Sequence, residues 1–138
     1  MTADELARGY FVRARKRFVA LRTLFEVEAF PDVVREAQEL VELVLKGMLR
    51  WVGIDPPKWH DVGSILVEER SKFPPEIQRE IPALAEISLR LRRDRELAFY
   101  GDRDFVPEQV FGREAAERAL ADAERVLAVS VHFIGLPG

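Results

Sequence analysis

Ala7, Phe11, Ala14, Phe18, Leu21 and Phe25 recur at steps of four and three, which places them on one face of a helix from about Asp4 to Glu26. Asp4 and Glu5 stand at its positive end, where the macrodipole favours carboxylates. Phe30-Pro31-Asp32 breaks the chain and opens a second helix, since proline is tolerated in a first turn. Val33, Ala37, Leu40, Val41, Val44, Leu45, Met48 and Val52 give that helix a wide apolar stripe, expected of a central helix buried on more than one side. Gly47 costs about 1 kcal/mol in a helix interior, so a close helix crossing is expected there. Gly53 is placed to cap the C-terminus.

The connector from Ile54 to Asp61 holds Pro56 and Pro57 and is stiff for that reason. Asp61 is suited to cap a short third helix from Val62 to Lys72, with Ile65, Leu66 and Phe73 facing inward. Pro74 and Pro75 interrupt again, Glu76 to Glu80 forms a turn of helix, and Pro82 restarts the pattern. Leu84, Ile87, Ser88, Leu91, Arg95 and Ala98 then share one stripe up to a stop at Gly101. A last helix from about Gly112 to Phe133 presents the small face Ala115, Ala116, Ala119, Ala123, Val126, Leu127 and Ser130 before Gly135 ends it. The pattern predicts one all-α domain over residues 1–138, an up-and-down four-helix bundle with a short additional helix.

A chain of 138 residues buries a core without metal or disulfide support, and 48% hydrophobic residues exclude disorder. The lack of cysteine removes disulfides, thiolate metal sites and cysteine nucleophiles. Abundant arginine and glutamate, with asparagine absent, fit a thermostable protein. No apolar run reaches the roughly 20 residues of a membrane span, and the acidic start, Met1 to Glu5, lacks a signal-peptide core. A cytoplasmic protein without membrane contact is expected. The net charge of −3 gives no general attraction to nucleic acid, so any such binding needs a local basic patch.

Two stretches supply one. Arg8, Arg15 and Arg22 lie seven apart on the first helix, with Arg13, Lys16 and Arg17 nearby. The expectation is a solvated face whose arginines pair with acids of a neighbouring helix; a nucleic-acid or phosphate stripe is the alternative. The second stretch carries Arg90, Arg92, Arg93 and Arg95 just before Phe99, Tyr100, Gly101 and Asp102. The macrodipole at the helix C-terminus accounts for Arg90, Arg92 and Arg93, whereas Arg95 points inward and needs a carboxylate or phosphate partner. Asp102 and Asp104 lack the further ligands of a calcium loop and read as capping or as partners of Arg103 or Arg95. Glu42 and Lys46 form an i,i+4 pair. His60, just before Asp61, either orients the loop or offers a polar group to a site between helices. A lone histidine makes no metal site, and neither metal nor cofactor is expected.

Three motifs in order resemble the HEPN domain family: Glu36 to Leu49 on the second helix, the turn from Pro56 to Gly63, and the close from Arg95 to Asp102. The resemblance implies a helical bundle, commonly a homodimer, often encoded beside a minimal nucleotidyltransferase with which it forms a toxin–antitoxin pair. Many such proteins resemble metal-independent ribonucleases that use arginine followed, after four to six residues, by histidine. Here the corresponding window reads Ala98-Phe99-Tyr100-Gly101. Phenylalanine moves no proton, and tyrosine, with a pKa of about 10, is a poor base at neutral pH. The resemblance therefore implies a non-catalytic module, a dimer that binds a nucleotide or a nucleotidyltransferase partner. Arg95 would hold phosphate and Tyr100 would stack on a base, while Asp102, His60, Glu42 and Lys46 line the same cleft. The alternative is an RNA-cleaving toxin with His60 or His132 as base and Arg95 or Arg125 at the phosphate.

Overall fold

The computed structural model describes residues 2–56, 58, 61–100 and 111–135, with the side chains of Ala3 and of residues 97–100 outside the description. The described chain is all-α, with helices α1 (Ala3–Glu26), α2 (Phe30–Trp51), α3 (Val62–Glu68), α4 (Pro75–Gln78), α5 (Ile81–Tyr100) and α6 (Arg113–Ile134). The four long helices fall where their apolar periods put them. The expected third helix is shorter than its pattern, because it gives way at Glu69 to the 3-10 turn Arg70–Lys72 ahead of Pro74.

Local chemistry sets the ends. Thr2 caps α1 through a reciprocal box: its hydroxyl accepts from the Glu5 N–H at 3.1 Å, and its own N–H donates to the Glu5 carboxylate at 3.0 Å. Glu5 thus has a specific partner beyond the macrodipole. Pro31 sits in the first turn of α2, and Gly53 (φ 85°) and Gly135 (φ 72°) end α2 and α6 in the left-handed region that glycine enters without strain. Asp61 caps α3, as expected, by accepting from the Gly63 N–H at 3.1 Å. Three residues join α1 to α2, and the middle one, Glu28 (φ 61°), is held there with its carboxylate 2.7 Å from Arg113 at the start of α6.

Helix α2 is central. It packs against α1, α5 and α6, and α3 sits mainly on α5, which scarcely touches α6. Phe11, Leu40, Val44, Leu45, Met48, Leu84 and Leu91 are all sealed from solvent in one continuous core. Gly47 marks the tightest crossing. A Cβ there would lie 3.0 Å from the Phe11 ring and 3.0 Å from Tyr10 Cβ. One neighbour is a fully buried ring and the other is fixed to the α1 backbone, so neither yields without moving the helix. No described helix is long and apolar enough to cross a membrane.

Gly47→Ala is therefore expected to lower stability by about 1 kcal/mol, the overpacking loss of about 2 kcal/mol exceeding the helix-propensity gain of roughly 1 kcal/mol. Urea melts of the two proteins measure the difference, and a more stable variant would refute the crossing as a constraint.

Candidate functional site

The apolar arc of α2 leaves one polar strip exposed, because Arg35, Glu39, Glu42 and Lys46 follow the three-and-four spacing of a single face. Helix α1 walls this strip with Tyr10 and Arg17, and α5 walls it with Arg95. The result is an open groove of two adjoining cavities. One, of about 590 Å³, is lined by Arg17, Arg35, Glu36, Glu39 and Arg95. The other, of about 350 Å³, is lined by Tyr10, Arg17, Glu39, Glu42, Leu43 and Lys46. Arg17 and Glu39 border both.

Most of these charges answer one another. Arg95 Nη2 lies 2.7 Å from Glu39 Oε1, both side chains being more than a third exposed. The carboxylate partner expected for Arg95 is thus present, although the side chain is half-buried at the groove wall instead of turned into the core. Glu42 accepts from Gln38 Nε2 at 2.6 Å and faces Lys46 Nζ at 3.7 Å, which realises the expected i,i+4 pair. Gln38 itself is buried. Arg35 is 2.5 Å from Asp32. Arg17 has no carboxylate within ion-pair distance among the described residues. The Tyr10 ring lies beneath the guanidiniums of Arg13 (4.9 Å) and Arg50 (5.7 Å), and its hydroxyl accepts from Arg50 Nε at 3.1 Å. Tyr10 is a fixed wall, since its ring is already covered by cations.

Of the residues singled out in the sequence, Arg95, Glu42 and Lys46 therefore meet along one groove. His60, Asp102 and the side chain of Tyr100 lie outside the described residues. Sequence reasoning passed over Gln38 and Glu39, and named Arg17 only within the basic stretch of the first helix. Glu39 carried a usable signal, standing one turn from both Arg35 and Glu42 on the same helix face.

Two charge expectations need correction. Helix α5 runs on to Tyr100, so Arg90 and Arg92 stand two or more turns before its end, beyond the last-turn reach of the macrodipole. They bond to specific acids instead. Arg90 pairs with Asp122 of α6 and lies 3.6 Å from Glu86; Arg92 lies 3.4 Å from Asp61 at the α3 cap. The second correction concerns α1, where six cations from Arg8 to Arg22 occur with no acid between them. Among the described residues none of the six pairs with a carboxylate. Arg8 lies over Trp51 (5.2 Å), Arg13 over Tyr10 and Arg22 over Phe18 (4.8 Å). Asp32, Glu42 and Glu39 of α2 are engaged by Arg35, Lys46 and Arg95, and a planar guanidinium settles readily on a ring face.

Arg125 and His132 lie on α6, each beside its own carboxylate: Arg125 is 3.1 Å from Glu80, and His132 is 4.0 Å from Glu76. Neither lines the groove. His132 borders a separate cavity of about 440 Å³ floored by Ile77, Ala128 and Val129. No group of three or more acidic, histidine or cysteine side chains is arranged for a metal among the described residues.

Against known families, the chain matches the model of the HEPN domain over residues 7–133. No curated protein and no solved structure matches it.

The cluster between α5 and α6 makes a pH prediction. Burial pushes the Asp94 carboxyl above its ordinary value; Arg90 and Arg118 pull it down by less, and Asp122 adds to the rise. The folded state therefore binds the Asp94 proton more tightly than the unfolded chain does. Its ionised form costs stability above the raised value, and that cost is relieved as pH falls back through it. Asp94→Asn is expected to raise the melting temperature slightly at pH 7, with the gain shrinking in acid; melts across pH 3 to 7 check the sign.

Proposed function

The chain belongs to the HEPN family, and from that premise we propose that it is a non-catalytic, dimeric module whose groove over α2 binds a nucleotide in the service of a partner nucleotidyltransferase. One observation supports this most directly: guanidiniums from two different helices, Arg17 of α1 and Arg95 of α5, line a single cavity. Planar guanidinium forks are suited to phosphate oxygens. Glu39 and Glu42 on the floor supply the complementary chemistry, accepting hydrogen bonds from ribose hydroxyls or a base amino group. Cavities of this size are typical of small-ligand sites.

The non-catalytic part of the reading rests on the chain itself. Cleaving RNA without metal needs a group that takes a proton from the 2′-hydroxyl, and Ala98 to Gly101 provide no histidine for that step. Arg125 and His132 do not replace it, because each faces an acid of the α4–α5 corner and not the groove. Dimer formation and a toxin–antitoxin partnership are carried over from the family.

Calorimetry with purified protein tests the proposal. AMP, ADP, ATP and the separately purified transferase are titrated into wild type and Arg95→Ala. Nucleotide binding is expected, weakened by roughly tenfold or more in the variant, as befits loss of a charged hydrogen bond. Heat-silent titrations with every nucleotide and with the transferase would remove the reading, and RNA cleaved by wild type would overturn its non-catalytic part.

A further inference from the structure

The groove is not a basic funnel, and its charge balance says which ligands it can take. Its lining holds four cations, Arg17, Arg35, Lys46 and Arg95, and three carboxylates, Glu36, Glu39 and Glu42. Three of the cations already face an acid: Arg35 with Asp32, Lys46 with Glu42 and Arg95 with Glu39. Only Arg17 has none within ion-pair reach among the described residues.

We infer that the groove selects a ligand bearing one phosphate, of the nucleoside monophosphate class, over a polyphosphate, and that Glu39 enforces the choice. This rests on the nucleotide reading above. A single phosphate, with a charge of about −1.5 to −2, fits between Arg17 and Arg95 in the larger cavity. Arg95 keeps Glu39 on Nη2 and its Nε–H is buried, so a phosphate oxygen would be met by the Nη groups of its fork. The nucleoside then extends over the smaller cavity, where Glu42, Leu43 and Lys46 offer acceptors, apolar contact and a donor.

A second and third phosphate have no such place. Glu39 borders both cavities, as Arg17 does, so a ligand that spans them passes beside its carboxylate. Glu42, further along, is tied on one side by the buried Gln38 amide at 2.6 Å and faces Lys46 on the other, and so does not swing aside. Extra phosphates lie against like charge, and juxtaposed like charges discriminate strongly between ligands. The same carboxylates are useful acceptors for hydroxyl and amino groups. The groove therefore rewards a donor-rich nucleoside and penalises a long anion.

The test compares AMP, ADP and ATP by calorimetry on wild type, Glu39→Gln and Glu42→Gln, with inorganic phosphate and tripolyphosphate as competitors of AMP. Wild type is expected to bind AMP on the order of tenfold more tightly than ATP, and phosphate to compete better than tripolyphosphate. Glu39→Gln keeps the side chain's shape and loses an ion pair that contributes little to folding. It is expected to close most of the gap by tightening ATP binding. ATP bound as tightly as AMP by wild type, or an unchanged ratio in Glu39→Gln, would overturn the inference while leaving nucleotide binding intact. Binding of no nucleotide at all would remove the proposed function and this inference together. The wild-type ratio and the inorganic competitors decide the matter even if a variant folds poorly.

Discussion

Helix α2 cannot be left in water. Val33, Val34, Ala37, Leu40, Val41, Val44, Leu45, Met48 and Leu49 occupy about half of its circumference and are all buried. Sealing an arc that wide takes more than one neighbour, and α1, α6 and α5 together supply the cover. At the ~25 cal/mol per Å² that apolar burial contributes, this one helix is a leading source of the favourable free energy of folding. Other features follow from it. Gly47 is small because α1 has to come close, and α6 carries Ala116, Ala119 and Ala123 on its buried face because it shares that crowded side.

The groove is the remainder of the same arrangement. Helices α1 and α5 flank α2 without meeting over its polar strip, so they stand as walls above a floor of alternating charge. Mixed charges hold such a floor open: Arg35 and Lys46 on α2 each have an acid to face, and none is pressed into the core, where an unpaired charge would be costly. A polar strip of this kind costs little stability and remains reachable by solvent and by ligands.

How much of this could be read from the chain depended on the reach of each interaction. Helix positions, the Asp61 cap, the Gly47 crossing and the Glu42–Lys46 pair are local or periodic, and the sequence displayed all of them. Which acid meets Arg95 is a tertiary matter. Glu39 lies on another helix far back in the chain, and no spacing rule links the two. The arginines of α1 misled for a related reason: composition offered plenty of acids, but packing placed rings beside Arg8 and Arg22 and kept the α2 carboxylates for other cations. Arg90 and Arg92 misled through position, since the dipole argument holds only in the last turn and both stand two or more turns before the end of α5, which falls where its pattern put it.

One contact on α5 has a mechanical consequence. Helix α3 rests on it where Gly63 meets Ala85, so close that a Cβ on Gly63 would lie 3.1 Å from Ala85 Cα. Arg95 stands ten residues further along, a lever arm of about 15 Å at 1.5 Å per residue. Pivoting α5 about that contact by roughly 5° carries Arg95 about 1.3 Å. That displacement is enough to stretch its 2.7 Å link to Glu39 to the limit of an ion pair. The helix that seats α3 at Ala85 is thus the same rod that carries Arg95 to the groove wall, so a short helix and an ion pair about 15 Å apart share one support.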